Sequence, residues 1–317
     1  MAGQRLVVIG SYNRDLALTV ARFPHAGETI RADGTLSSHG GKGSNQAVQA
    51  VRLGASVILL AGIGNDSSGT EALAFWNREG IETAAIARFP LATGTAAILV
   101  DRDGENMIVV APGANDALSA ADVERIALEI ARADAVLAQL ETPQHATIAA
   151  FRIARGHGIR TILNAAPMQD PLDPELLALV DILAVNEGEA AMLMGGDRRD
   201  VEVIATTLLE RVGEAVLISL GSAGALLARH GQPTAQIGPP VVRVVDTTGA
   251  GDALIGAFAA HVVATNDLRA ALRWGVAAGS AACTAAGATS SFGTASEIAA
   301  LERQIPAVDP IIGRAAS

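Results

Sequence analysis

The sequence predicts an α/β protein: three layers, with a mostly parallel sheet between helices and a small β lid at its side. Three observations predict it. Short apolar, β-branched runs alternate with helix-period stretches, as crossover connections between parallel strands require. Polar residues stand at the carboxyl ends of those runs, where open parallel sheets bind their ligands. Two glycine-rich clusters each precede a helix.

Taken in chain order, the strand-like runs are RLVVIG (5–10), SVILLAG (56–62), DAVLAQLE (134–141), IRTILNAAP (159–167), VDILAVNE (180–187), AVLISLG (215–221) and PVVRVVDTTG (240–249). Two regions break the alternation. Segment 14–38 holds apolar stretches with no helical pattern between them, and 93–111 reads as a hairpin turning at Asp103-Gly104. Together they form the expected lid, whose open sheet edges call for cover; a homodimer through the lid would supply it. Asn13, Glu141, Asn164, Asn186, Ser219, Gly221 and Asp246 all fall at or just after strand ends. Turn and cap preferences account for some of them, and a polar ligand accounts for the row as a whole.

Composition narrows the class. The chain has 317 residues, half of them hydrophobic and 18% charged, which suits one large domain over 1–317 and argues against disorder. A net charge of −10 with no basic cluster argues against nucleic acid. The single cysteine, Cys283, excludes a disulfide framework or a cysteine-rich metal site. The N-terminal apolar run is too short for a signal peptide, and no apolar stretch reaches the roughly 18 residues of a membrane span. A soluble cytoplasmic protein with no membrane partner is expected.

The densest chemistry lies in DTTGAGDAL (246–254). Gly249, Ala250 and Gly251 are small enough to let the amides of residues 250–252 converge, and the helix that follows adds partial positive charge. That arrangement suits a phosphate in transit. Asp252, at the start of the helix, is placed to take a proton from an attacking hydroxyl. HGGKGSNQAVQAVRLGA (39–55) sets Gly40, Gly41 and Gly43 before a second helix and offers Lys42 and Asn45. It departs from the Walker A spacing, and either a sugar or a phosphate would fit it, as would a plain turn. NEGEAAML (186–193) places Asn186 and Glu189 one turn apart, either as an indirect Mg2+ site or as a capping pair. His39 and His261 do not cluster and read as structural or surface groups, and Trp76 and Trp274 read as core.

Taken in this order, the clusters resemble the ribokinase-like carbohydrate kinase family, also called the phosphofructokinase-B type. GGKGSNQAVQAVRLGA is similar to its first signature, DTTGAGDALIGAFAA to its second, and NEGEA to its Asn-x-x-Glu motif; VIGSYNRDLALTVARFPHAGETI, APGANDALS and QLETP extend the likeness over about residues 5–303. The resemblance implies the family fold and ATP-dependent phosphorylation of a sugar, with ribose O5 as the acceptor and Asp252 as the base beside Gly249, Ala250 and Gly251. It implies sugar contacts from Asn13, Asp15, Gly41, Lys42, Gly43, Ser44, Asn45 and Glu141. For the nucleotide it implies Asn186, the loop of Leu220, Gly221, Ser222, Ala223, Gly224 and Ala225, together with Gly251 and Val276. It implies Mg2+ near Asn186 and Glu189, held through water. A monovalent cation such as K+ would lie among Asp246, Thr248, Ala282, Ala285, Gly287 and Ser291.

Other readings compete. A kinase of the same family for another sugar, a sugar acid or a nucleoside would use the same chemistry, although 3% aromatic content offers little for stacking a purine acceptor. A catalytically silent sugar-binding protein would have no need of Asp252. A dinucleotide oxidoreductase predicts G-x-G-x-x-G after the first strand, and VVIGSYNRD does not supply it.

Overall fold

Six of the seven strand-like runs form strands of one sheet in the computed structural model, which describes residues 4–196 and 200–306. Residues 1–3, 197–199 and 307–317, part of the expected 1–317 domain, lie outside the described residues. The strands are β1 (Arg5–Ile9), β2 (Asn13–Thr19), β3 (Gly34–Gly40), β4 (Ser56–Leu60), β5 (Gly62–Gly64), β6 (Ala87–Phe89) and β7 (Thr95–Val100). They continue with β8 (Asn106–Ala111), β9 (Ala135–Gln139), β10 (Arg160–Asn164), β11 (Ile182–Asn186), β12 (Ala215–Ser219), β13 (Ala225–Arg229) and β14 (Gln232–Ile237). The large sheet runs β14-β13-β12-β11-β10-β9-β1-β4. It is parallel from β4 to β12 and antiparallel at β13 and β14.

Both faces of this sheet are buried, which is why its strands read as continuous apolar runs rather than alternating ones. Along β1, Leu6 and Val8 enter one core while Val7 and Ile9 enter the other. Helices Lys42–Arg52, Ala250–Thr265 and Leu268–Ala282 cover the first face, and Gln144–Gly156 and Val201–Leu209 cover the second. Trp76 is fully buried as expected; Trp274 is only partly buried, packed on the core edge and stacked on His261.

A second sheet, ordered β3-β2-β7-β8, brings together the two irregular segments. The hairpin turn is the expected one, with Gly104 at φ 82° and β7 antiparallel to β8. Exposed apolar side chains stand on both faces, Leu36, Ile108 and Val110 on the face that carries Asp15 and Leu16, Met107 and Val109 on the other.

One expected strand does not form. PVVRVVDTTG (240–249) is an irregular segment with Val241 96%, Val244 61% and Val245 56% exposed. Pro239 and Pro240 remove two ladder donors where the run begins. The edge is completed instead by the β13–β14 hairpin, and the valines are left at the surface. Among the described residues no helix is long and apolar enough to cross a membrane.

Candidate active site

β1 leads through Gly10, Ser11 and Tyr12 into β2, and helix Lys42–Arg52 begins beside that crossing. Gly41, its N-cap, has φ 89°, a conformation side chains avoid. A Cβ on Gly43 would fall 2.5 Å from Gly10 Cα, so the helix start rests directly on the strand end. Its first amides are all taken. Lys42 N–H donates to Glu141 Oε2 at 2.8 Å, Gly43 N–H to Ser11 Oγ at 3.3 Å and Ser44 N–H to Ser11 O at 2.9 Å. The bare peptide groups of a helix start are thus closed, and this loop offers side chains rather than an amide cradle. Of the ligands the sequence allowed here, phosphate loses its support.

Those side chains converge. Asn45 Nδ2 donates to Asp252 Oδ2 at 2.9 Å, while its Oδ1 is buried without a protein donor. The Lys42 ammonium is held charged, above the usual lysine range, chiefly by Asp252, with Glu141 and Glu189 adding to the effect against the cost of burial. Asn13 is fixed by Asn115, whose Nδ2 donates to Asn13 Oδ1 at 3.0 Å and to Tyr12 O at 2.9 Å. Asp15 lies over Gly40, where an added Cβ would sit 2.1 Å from its Oδ2. Burial, with Glu141 and then Asp252 nearby, pushes the Asp15 carboxyl up to about 7. Arg14 turns to the other side and pairs with Glu71 at 2.7 Å.

Ser44, expected at the sugar, faces the core: it is fully buried and its Oγ accepts the indole N–H of Trp76 at 2.8 Å. Helix periodicity explains the correction, because Ser44 and Asn45 stand about 100° apart on the helix and only Asn45 turns to Asp252. Gly43 likewise serves the close approach to Gly10.

The second loop is open. Gly249 caps helix Ala250–Thr265 with φ 76°. Ala250 N–H donates to Thr247 O at 3.2 Å, so of the three amides expected to converge only those of Gly251 and Asp252 lack a protein acceptor. Asp252 is 8% exposed, and Gln46 Nε2 donates to its Oδ1 at 2.9 Å.

Two cavities meet here. One, of about 450 Å³, lies between the valine segment (Pro239, Pro240, Val241, Val242, Val244), the turn after β12 and Val276. The other, of about 140 Å³, is lined by Lys42, Asn164, Asn186, Glu189, Gly249 and Asp252. Ser219, Gly251 and Leu254 border both. From the turn Gly221, Ser222 and Gly224 reach the larger cavity. Leu220 and Ala225 do not: they are buried in the cores, where apolar side chains at strand ends go. Ala223 is exposed, its carbonyl accepting from Gln236.

Asn186 and Glu189 form the capping box as well as lining the cavity. Glu189 N–H donates to Asn186 Oδ1 and Asn186 N–H to Glu189 Oε2, both at 2.8 Å, which leaves Glu189 Oε1. One free carboxylate oxygen beside a phosphate-sized space fits a Mg2+ that keeps its waters. At the expected monovalent site, Asp246 Oδ1 accepts from Thr248 N–H at 2.9 Å and its hydroxyl at 2.7 Å, and Oδ2 from Gly287 N–H at 2.8 Å. Burial opposes the charge, but these bonds hold the Asp246 carboxyl below the usual range. Ala282 is buried, Ala285 is exposed and Ser291 Oγ is spent on Ala288 O at 2.8 Å, so no hydrogen bond ties these three to Asp246.

The pfkB carbohydrate kinase family model matches residues 4–295. The chain belongs to that family. It is an ATP-using sugar phosphotransferase of this class. It is 38% identical to a ribokinase of Haemophilus influenzae over 92% of this chain and 96% of that one. It is also 38% identical to a mouse ribokinase over 81% of each. The solved structure of an Arabidopsis thaliana ribokinase complexed with ribose and ATP superposes with a TM-score of 0.86 at 30% identity, over 96% of this chain and 99% of that one.

Proposed function

We propose that this enzyme transfers the terminal phosphate of ATP to O5 of ribose, giving ribose 5-phosphate. The observation that carries the reading is the buried Asp252 carboxylate, set where the two cavities meet and beside the open amides of Gly251 and itself. The relatives named ribokinase, one of them holding ribose and ATP, support the choice of sugar.

The sugar would lie over the first glycine loop. Its hydroxyls would donate to Asn45 Oδ1, Asp15 and the free oxygen of Glu141, and would accept from Lys42 and Asn13. Asp252 would take the O5 proton as O5 attacks. The adenosine would occupy the 450 Å³ cavity against Val276 and the valine segment, with its phosphates over Gly251. Bound near Asn186 and Glu189, Mg2+ would neutralise charge on the phosphates. K+ at Asp246, Thr248 and the carbonyls of the 282–291 loop would stiffen the second glycine loop. The four-stranded sheet would act as a lid, and its exposed apolar side chains would pair with those of a second copy. The enzyme would act in the cytoplasm, without nucleic acid or membrane as a partner.

The test is ADP release with ATP and Mg2+ over ribose, 2-deoxyribose, hexoses, sugar acids and nucleosides, with and without K+. Ribose is expected to give the highest kcat/KM; another acceptor ahead by tenfold would replace it. A monomer by sedimentation at micromolar concentration would remove the dimer.

A further inference from the structure

Beneath Asp252 lies a buried chain of amides, of which only Asn164 borders a cavity. Gln46 is fully buried and Gln139 is 1% exposed, and neither borders the cavity that Asp252 lines. Gln139 Nε2 donates to Gln46 Oε1 at 2.7 Å. Gln46 Nε2 then donates twice, to Asp252 Oδ1 and to Asn164 Oδ1, each at 2.9 Å. Asn164 Nδ2 donates onward to Ala184 O at 3.1 Å.

The polarity of this chain is fixed at its acceptor ends. A backbone carbonyl only accepts, so Asn164 must present its nitrogen to Ala184 and its oxygen to Gln46. An ionised carboxylate also only accepts, so Gln46 must present its nitrogen to both neighbours. Its oxygen therefore faces Gln139 and needs a donor there. Turned the other way, Gln46 would set its carbonyl oxygen against two acceptors in a fully buried site, a costly arrangement.

We infer that Gln46 and Gln139 are positioning residues for the base: Gln139 locks the Gln46 amide, and Gln46 with Asn45 holds the Asp252 carboxylate in the plane and rotamer that meets the sugar hydroxyl. This rests on the kinase reading above and adds to it a device outside the ligand shell. Asn45 touches both base and sugar space; Gln46 bonds to the base, Asn164 and Gln139, and Gln139 reaches the base only through Gln46. Their loss therefore acts on kcat and leaves the KM for sugar nearly alone.

The experiment compares the parent with Gln46→Met, Gln139→Met and Gln139→Glu, measuring kcat, both KM values and melting temperature, with Asp252→Asn as a control. If the parent does not phosphorylate ribose, or Asp252→Asn keeps its rate, the kinase reading itself fails, and that outcome is separate from this one. Gln46→Met keeps the volume and removes the donor; kcat is expected to fall about 10- to 100-fold with the ribose KM within about threefold, as for a lost hydrogen bond to a charged group. Gln139→Met frees the Gln46 amide to turn, and kcat falls by about tenfold or less.

Gln139→Glu supplies the readout that a purely structural role would not move. While protonated, the introduced carboxyl donates to Gln46 Oε1 and reproduces the native polarity; once ionised it can only accept, and turns the amide the wrong way. The charge bonded to this chain is Asp252, reached through Gln46, and Lys42 and Glu141 lie within its electrostatic reach. The ratio of variant to parent kcat is expected to be near one at low pH and to fall as pH rises. A ratio flat across pH 5–9, together with a Gln139→Met kcat within twofold of the parent, overturns the proposal. Should Gln139→Glu fail to fold, Gln46→Met and Gln139→Met decide: kcat lowered at constant KM supports the device, and unchanged kcat overturns it.

Discussion

Two glycine loops open two helices on the same face of the sheet, and they do opposite things. At Gly41 every early amide is consumed by Ser11 or Glu141, and Asn45 and Lys42 are left to work through their side chains. At Gly249 only one of the first three helix amides is consumed, Ala250 N–H by Thr247 O, and those of Gly251 and Asp252 are left without acceptors. Glycine serves packing in the first loop and leaves the second open to a ligand. A helix start preceded by glycines is therefore an anion site only where its amides have no internal partner.

The sharpest way to break this contrast is Asp252→Asn. The change keeps the shape and the hydrogen-bonding capacity toward Asn45 or Gln46 but removes the proton acceptor. Turnover is expected to fall by about 10²–10⁴, the usual worth of a general base, while isothermal titration still shows sugar and ATP binding. Survival of turnover within tenfold would detach the open helix end from the chemistry.

A paired substitution separates the two glycines next. On Gly43 a methyl would meet Gly10 Cα and Ser11 N at 2.5 Å, both backbone. Gly43→Ala is expected to cost about 1–3 kcal/mol through overpacking, seen as a lower denaturant midpoint. On Gly251 nothing lies within 4 Å. Gly251→Ala should keep the midpoint within experimental scatter and lower kcat/KM for ATP by about tenfold, because the methyl enters space meant for phosphate. Equal effects on stability would erase the distinction between packing and approach.

Much of this is legible in the sequence, and the boundary of legibility is physical. The role proposed for DTTGAGDAL was local in the sequence, since its small residues and its carboxylate lie within one turn of chain. Runs such as SVILLAG and VDILAVNE announced parallel strands because both sheet faces are buried. PVVRVV misled for the same reason: apolar β-branched residues read as a buried strand, and the prolines that exclude them from the sheet sit at its margin. Hidden altogether were Asn115, Gln46 and Gln139. Asn115 holds Asn13 across 102 residues, and Gln46 meets Gln139, Asn164 and Asp252 across 93, 118 and 206. Partnerships of that range leave no local pattern, and a glutamine on a helix looks like surface until the chain is folded around it.

The charge beside the closed loop gives a smaller effect. Asp15 moves from 3.8 to about 7 because burial and the Glu141 and Asp252 charges disfavour its ionised form. The folded state therefore keeps a proton that the unfolded chain gives up above about pH 4. Stability from this group is fully present below pH 4 and declines as pH rises toward 7. Asp15→Asn should flatten the decline, read as denaturant midpoints at pH 5, 6 and 7; an unchanged slope would place the effect elsewhere. Sugar hydroxyls donating to Asp15 favour its ionised form, so ribose binding near pH 7 should release protons, visible as calorimetric heats that differ between buffers.

The smallest expected effect lies farthest from the closed loop, in the valine segment. Pro239, Pro240, Val241, Val242 and Val244 wall the larger cavity with carbon, opposite Val276 and Leu254. Carbon walls gain energy by area and read no base edge, unlike the bonded side chains of the proposed sugar site. Val244 is already 61% exposed, so ATP can cover only part of it. A fully buried valine contributes about 1.5 kcal/mol or more, and the uncovered share reduces that to under 1 kcal/mol. Val244→Ala should accordingly raise the KM for ATP about threefold and leave the KM for ribose and kcat unchanged. A shift of thirtyfold, or one that reaches the ribose KM, would mean that the segment orders the phosphate loop as well as covering the base, and the division between a bonded sugar side and an apolar nucleotide side would have to be redrawn.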